Sequence, residues 1–406
     1  MNSIVQFVRA PVMRRNKLSV SDTTLTLKFV INSMEGGGAE RALANLIHYL
    51  EQPLIGCDVE LVLLDDRDIK QALPAWIKVK VLDGRGSFVR STIQLIGYLS
   101  KHRPDVVVSY LARANCLNVF SAFLYGHRAV ISERVQTSSH LSTSRARALF
   151  EWLTRVCYPR ADKVVAVSQG VADDLSQNFK VPTDRICVIG NPIDANALRA
   201  KARETPAHLL PERFILAVGR MVLNKNFPML LEGYAKANPA ENLVILGDGP
   251  ERKALEKLVH DLGLTGRVHM SGFVGNPYPI MAQAHCLVSC SNAEGFPNTI
   301  IEAMTLGTPV IATDCPSGPA EVLRGVAVMG RDVTKNARDG LLIPTSSPDS
   351  LCKALTVMAD QEIRNKYAAL AQERSQSFGV DNVVRAYLDL IFAEQLTPTP
   401  QEGNSI

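Results

Sequence analysis

HCLVSCSNAEGFPNTIIEAMTLGTPVIATDCPSGPAE, residues 285–321, decides the fold. Cys286 to Cys290 is a short apolar run that reads as a buried strand, and Pro309 to Thr313 is a second. Between them Ile300, Ile301, Met304 and Leu306 are spaced for one buried helical face. Pro297 suits a first-turn position and Gly307 the stop. The stretch is therefore a strand–loop–helix–strand unit. Its parallel strands need a right-handed crossover.

Two carboxylates flank the helix entrance. Glu294 lies in the loop, and Glu302 lies in the helix on the face of Asn298. Between them, Gly295-Phe296-Pro297-Asn298 sits where free backbone N–H groups and the helix dipole favour an anion. Gly295 permits close approach of a ligand. A diphosphate fits that cradle, and each carboxylate can hold a pair of hydroxyls, one pair on a sugar and one on a ribose. The ligand type is a nucleotide sugar. The competing reading is an ordinary helix with Glu302 in solvent.

The order EGFPNTIIEAM, two residues, then GTPVIA contains Glu-x7-Glu from Glu294 to Glu302. It resembles the donor site of retaining GT-B glycosyltransferases of family 4. GRMVLNKN, with Gly219, Arg220 and Lys225, resembles the family's GR…K motif, whose Arg and Lys clamp the donor diphosphate. The GGGAER loop with Gly37 and Gly38 resembles the family's first loop, which touches donor phosphate or acceptor. The backbone near Phe273 and Val274 matches the place that meets the base. The resemblance thus implies donor contacts from Gly37, Gly38, Gly219, Arg220, Lys225, Val274, Glu294, Gly295, Phe296, Pro297, Asn298 and Glu302. Arg220, Lys225 and Glu294 would carry the catalysis. Ser-Glu-Arg at 132–134 resembles related surface-glycan enzymes and makes Glu133 and Arg134 acceptor- or sugar-side candidates. Many family members place a histidine after a strand such as Val106 to Val108. Tyr110, Arg113 and Asn115 stand there instead. His127 and His140 read as surface histidines.

Composition sets the bounds. A length of 406 residues predicts two domains. Formal net charge is +4, and residues 1–20 carry Arg9, Arg14, Arg15 and Lys17 with no acid. The remainder is near neutral, which argues against nucleic acid as a partner. No apolar run approaches a membrane span, and Arg9, Arg14 and Arg15 interrupt any signal core. Eight cysteines without Cys-x-x-Cys read as reduced core residues of a cytoplasmic protein.

Residues 1–24 read as a basic leader, either a mobile tail or a segment drawn to an anionic membrane. Residues 25–194 form the first domain, 195–212 a linker, and 213–375 the second domain. A helix within about 376–396 crosses back onto the first. Residues 141–159 carry Arg145, Arg147 and Arg155 with Leu149, Leu153 and Val156 in a helical stripe. That stripe lies on anionic lipid or packs on the core. Asp66-x-Asp68 could hold a divalent cation, but a solvated turn is favoured. Dinucleotide fingerprints fail at position 41, an Arg, and at position 252, also an Arg.

Strand–helix alternation gives α/β, with two Rossmann-like domains facing across a cleft in the GT-B manner. The resemblance implies a metal-independent, retaining hexosyl- or N-acetylhexosaminyltransferase with no cofactor. It would use a UDP- or GDP-linked sugar. The acceptor would be lipid-linked or an oligosaccharide, in bacterial surface polysaccharide or lipopolysaccharide synthesis, on the cytoplasmic face of the membrane. Rival readings are a nucleotide-sugar epimerase, a nicotinamide oxidoreductase and a non-catalytic subunit of a glycan-assembly complex.

Overall fold

The structure is a computed structural model that describes residues 24–135, 137–138, 147–206, 210–324 and 338–393. The basic leader up to residue 23, His140 and Arg145 lie outside the described residues.

Two parallel sheets organise the chain. The first contains β1 (Thr26–Ile31), β2 (Asp58–Leu63), β3 (Lys78–Val81), β4 (Val106–Tyr110), β5 (Arg128–Glu133), β6 (Lys163–Ala166) and β7 (Ile186–Val188), ordered β3-β2-β1-β4-β5-β6-β7. The second contains β8 (Phe214–Val218), β9 (Asn242–Leu246), β10 (Val268–Gly272), β11 (Cys286–Ser289), β12 (Val310–Thr313) and β13 (Leu341–Ile343), ordered β10-β9-β8-β11-β12-β13. Central strands such as VVVSY and FILAV are apolar end to end because helices cover both faces of each sheet. Each sheet reverses its strand order once, at β1/β4 and at β8/β11. Ligands collect at the carboxyl ends of strands at such points. The glycine loop after β1, Gly219-Arg220 after β8 and the EGFPN loop after β11 all emerge there.

The chain returns to the first domain at its end. Helix Val380–Phe392 places Val383, Tyr387, Leu390 and Ile391 in the core that β1, β2 and β4 build. Tyr387 and Tyr110, both fully buried, share a hydrogen bond of 2.9 Å between their hydroxyls. A buried hydroxyl needs such a partner.

Three stretches differ from expectation. The segment 195–212 is not all linker. Asp194 accepts from the backbone of Asn196 and Ala197 at 2.9 Å each, capping a helix Ala195–Ala202 whose Leu198 is buried in the second domain. Arg113 and Asn115 do not line a polar loop. Leu111 takes a left-handed φ of 74°, and a helix Ala112–Tyr125 starts at once. Arg113 is then buried against Asp65, and Asn115 accepts from Ser109 Oγ at 2.9 Å. His127 is not a surface histidine. It stands between the helix stop at Gly126 and the start of β5 and is buried, with Nε2 3.1 Å from Asn118 Oδ1.

Burial pushes the His127 imidazole down from 6.5 to about 4. The folded state therefore favours the neutral ring. Its contribution to stability is complete above the unfolded value and is lost as pH falls from 6.5 to about 4. Denaturant titrations across that window should show His127→Gln losing stability less steeply than wild type. Parallel curves would refute the assignment.

Candidate functional site

The candidate donor cradle is built from β11, its loop and the following helix. Helix Asn298–Leu306 begins after Pro297 with no side-chain cap and ends at Gly307 in the left-handed region. Pro297 thus stands at the cap rather than inside the first turn. The uncapped end leaves backbone donors for a ligand. Gly295 is required by packing, since a Cβ there would lie 2.1 Å from the Arg134 carbonyl oxygen. That contact seats the loop of the second domain on the first. Gly318, at φ 93°, would bring a Cβ to 2.9 Å from Pro297 Cδ. Ser317 Oγ donates to the Glu294 carbonyl, fixing the loop from behind.

Lys225 and Glu294 meet. The ammonium donates to Glu294 Oε1 at 2.6 Å, and Ser291 Oγ donates to the same oxygen at 2.6 Å. Lys225 lies along Gly219, where a Cβ would touch its methylenes at 3.4 Å. Arg220 is exposed at the carboxyl end of β8. Three asparagines that the sequence reading did not single out hold these parts in register. Asn224 Nδ2 donates to the Ala293 carbonyl at 2.8 Å. Asn226 Nδ2 donates to Asn292 Oδ1 at 3.0 Å. The Asn292 amide donates to the Asn224 carbonyl at 2.8 Å. Only their place inside two motif loops could have marked them. The glycines 247 and 249 have a related task. Gly247 has φ 133°, and a Cβ there would fall 1.9 Å from the Gly219 carbonyl oxygen; one on Gly249 would fall 2.4 Å from that of Met221. They let the β9 loop press against the Gly219-Arg220 loop.

Glu302 is buried, and its Oε1 is 3.2 Å from Arg41 Nη2 and 3.4 Å from the Tyr278 hydroxyl. Burial and the nearby Glu302 charge push the Tyr278 phenol up to about 12. Tyr278 therefore acts as a neutral donor. Arg41 is the residue that breaks the dinucleotide fingerprint, and here it reaches across the cleft. Gly37 and Gly38 are exposed at the start of helix Gly38–Leu50, which also has no side-chain cap. The Val274 side chain is buried in the second-domain core, and Phe273 is exposed. Phe296 points away from the cradle. Its ring packs on Gly190 and edge-on to Phe378 at 5.9 Å, at the seam between domains.

Glu133 and Arg134 part ways. Glu133 is 1% exposed, accepts from Tyr158 Oη at 2.6 Å and from the Arg134 amide at 3.0 Å. Burial raises its carboxyl above the usual range. It braces the wall and presents no oxygen to the cleft. Arg134 is also buried and lies over the Tyr110 ring at 5.2 Å. Its Nη2 donates to Asn191 Oδ1 at 2.6 Å, and Asn191 Nδ2 donates to Asn298 Oδ1 at 2.7 Å. Arg134 Nε and Nη1 are buried without a protein partner among the described residues. A buried guanidinium with two idle donors suits an incoming oxygen-rich group. A second bridge closes the domains: Glu321 accepts from the Gln169 and Gly170 amides, at 2.7 and 2.8 Å, at the start of helix Gln169–Phe179.

The cleft has the parts of a sugar-nucleotide enzyme, and comparison with known proteins agrees. Residues 36–197 match the family model described as Glycosyltransferase Family 4, and residues 199–374 match Glycosyl transferases group 1. The chain is 30% identical over 373 residues to the N-acetylgalactosamine-N,N'-diacetylbacillosaminyl-diphospho-undecaprenol 4-alpha-N-acetylgalactosaminyltransferase of Campylobacter jejuni, covering 88% of this chain and 97% of that relative. It is 26% identical to the lipopolysaccharide 1,6-galactosyltransferase of Salmonella typhimurium, over 74% of this chain and 83% of the relative. Among solved structures, Anabaena HepE in complex with UDP and glucose superposes with a TM-score of 0.74 at 21% identity, covering 91% of this chain and all of that one. That likeness shows the fold. The chain belongs to the family 4 glycosyltransferases of GT-B fold.

Proposed function

We propose that the protein transfers a hexosyl or N-acetylhexosaminyl unit, with retention, from a nucleotide sugar to a lipid-linked or oligosaccharide acceptor of a bacterial surface polysaccharide. The observation that carries this reading is the uncapped helix end between Glu294 and Glu302, with Lys225 2.6 Å from Glu294. The relatives' names support the acceptor class, since one acts on a diphospho-undecaprenol sugar and another on lipopolysaccharide. UDP in the HepE complexes favours a UDP-linked donor over a GDP-linked one.

When the donor binds, its diphosphate takes backbone N–H groups left free at the start of this helix, and Arg220 and Lys225 neutralise its charge. Lys225 then exchanges part of its contact with Glu294 for phosphate. Glu294 is released towards the sugar hydroxyls, and Glu302 holds the ribose. No protein nucleophile is invoked. The acceptor attacks from the leaving-group face, and a donor phosphate oxygen takes its proton. The protein's part is positioning and charge stabilisation.

Incubation with a panel of sugar nucleotides, with and without a lipid-diphosphate sugar, tests the reading. Acceptor-dependent loss of one donor and an axial-to-axial product by NMR are expected. Free sugar released without acceptor would instead mark an epimerase, and an inverted anomer would refute retention.

We also propose that turnover needs no metal, because backbone donors and two cations already answer the diphosphate. Asp66 and Asp68 are exposed, and no group of three or more His, Cys, Asp or Glu side chains gathers for a metal among the described residues. Full activity is expected after exhaustive chelation. Loss that only manganese or magnesium restores would overturn this and return attention to Asp66 and Asp68.

A further inference from the structure

Two cysteines that the transfer reaction does not use lie against each other in the first domain. Cys116 stands in helix Ala112–Tyr125, and Cys157 closes helix Arg147–Cys157. They are 41 residues apart in sequence (157 − 116), and the packing of the two helices brings them together. Cys116 is 1% exposed and belongs to the core that β5, β6 and their helices build. Cys157 packs against that core. The two side chains share a hydrogen bond, and both thiols are free.

The pair is asymmetric in the way a reactive pair needs. The hydrogen bond from Cys116 holds the Cys157 thiol below its usual range, and the Arg160 cation adds to this. The same bond, together with burial, pushes the Cys116 thiol up. Burial also pushes Cys286, Cys290 and Cys315 up to about 12. Those three are core thiols with little thiolate to offer, and the thiolate is the nucleophile. Cys157 is only half-buried, and it lines a cavity of about 590 Å³ with Val119, Ala122 and Arg160. A small oxidant can therefore reach Cys157. Cys116 is sealed from solvent and meets its neighbour instead.

We propose that Cys116 and Cys157 form a reversible oxidation site for peroxides, with Cys157 reacting first and Cys116 resolving it. The Cys157 thiolate attacks one oxygen of hydrogen peroxide. An S–O bond forms and the O–O bond breaks. The other oxygen leaves as hydroxide and takes up the proton that Cys157 had released. Cys157 is now a sulfenic acid, oxidised by two electrons, and the peroxide is reduced by two. The Cys116 sulfur then attacks the Cys157 sulfur. An S–S bond forms, the S–O bond breaks, and hydroxide departs with the Cys116 proton as water. Contact offsets the poor acidity of Cys116 in this second step, because the two sulfurs are already neighbours. A dithiol reverses the reaction by exchange. In a reducing compartment the resting form is the dithiol, and the disulfide is transient.

The site adjoins the bracket behind Glu133. Asn115 precedes Cys116, and Tyr158 follows Cys157. Asn115 Nδ2 donates to Tyr158 Oη and to the Ser132 carbonyl, each at 3.0 Å. Tyr158 donates in turn to Glu133, whose carboxylate holds the Arg134 amide. A disulfide ties both sides of this bracket covalently, so the oxidised chain holds the Arg134 turn more firmly than the reduced chain. None of this depends on the transfer proposed above.

The test uses the full chain, reduced, freed of reductant and treated with hydrogen peroxide. Remaining thiols are then alkylated, and unreduced peptides are mapped by mass spectrometry. Loss of two hydrogens per chain is expected, in one cross-linked pair of peptides carrying Cys116 and Cys157. Dithiothreitol should restore both thiols. Cys157 should react about 10-fold or more faster than Cys286, Cys290 and Cys315. Cys116→Ala should halt the reaction at a Cys157 sulfenic acid that dimedone traps. Both thiols intact after a dose that oxidises free cysteine would overturn the proposal. So would a wild-type Cys157 that stops at the sulfenic or sulfinic acid, or that bonds to another cysteine or a second chain. These wild-type outcomes decide the matter even if Cys116→Ala does not fold. Hydrogen exchange at the amides of residues 132–134 should slow on oxidation. Unchanged exchange would refute the hold on Arg134.

Discussion

Arg220→Ala and Lys225→Ala should each lower kcat by about 10²–10³-fold, with a smaller change in the donor KM. The reason lies in when the charge appears. Bond cleavage places additional negative charge on the departing diphosphate, so cations beside it gain interaction energy as the transition state forms. A group whose interaction grows along the reaction changes kcat; one whose interaction is constant changes KM. The two variants should still differ. Lys225 also holds Glu294 at 2.6 Å, so its loss leaves Glu294 to Ser291 alone and disturbs the sugar side. Arg220 is exposed and anchors no neighbour in this way. Lys225→Arg should recover charge without the contact geometry, because a planar fork cannot replace a compact ammonium over Gly219. Steady-state kinetics with varied donor decide the matter. If kcat survives in both alanine variants while KM rises, these residues only bind, and the division of roles is wrong.

The main architecture is legible in the chain because strand and helix periods are local properties. LTLKFVIN, FILAV and CLVS announce buried strands, and the Gly307 stop closes the cradle helix where the left-handed φ requires it. The position of the candidate donor loops is legible for a similar reason, since each joins a strand to a helix within a few residues. What the chain hides is contact between distant segments. Arg41 on Glu302 spans 261 positions of sequence (302 − 41) and crosses the cleft. Nothing in GGGAER alone points to a carboxylate so far away. Asn191 linking Arg134 to Asn298, and Glu321 capping a helix of the other domain, are hidden in the same way. Burial misleads too. Glu133 and Arg113 look like loop groups by their polarity, yet each is buried with a partner that sequence cannot name.

Glu302→Ala should mainly raise the donor KM. Ribose hydroxyls do not change during transfer, so holding them stabilises ground and transition states alike. A hydrogen bond to a charged group contributes about 1.5–3 kcal/mol, so losing one corresponds to roughly a 10- to 150-fold rise. The structure sharpens this expectation. Arg41 and Tyr278 both contact Oε1 of Glu302, which orients the carboxylate before any donor arrives. Arg41 is well exposed and Glu302 is buried, so removing the carboxylate returns the cation largely to water. The fold should tolerate the loss better than it would tolerate a buried orphan charge. Glu302→Gln offers the control. It keeps an acceptor for the Tyr278 hydroxyl but gives up the charge, and KM should fall between wild type and the alanine variant. Thermal unfolding measured beside the kinetics separates a binding loss from a damaged helix. If Glu302→Ala lowers kcat as much as it raises KM, with unfolding unchanged, Glu302 acts on the reacting sugar and the ribose assignment fails.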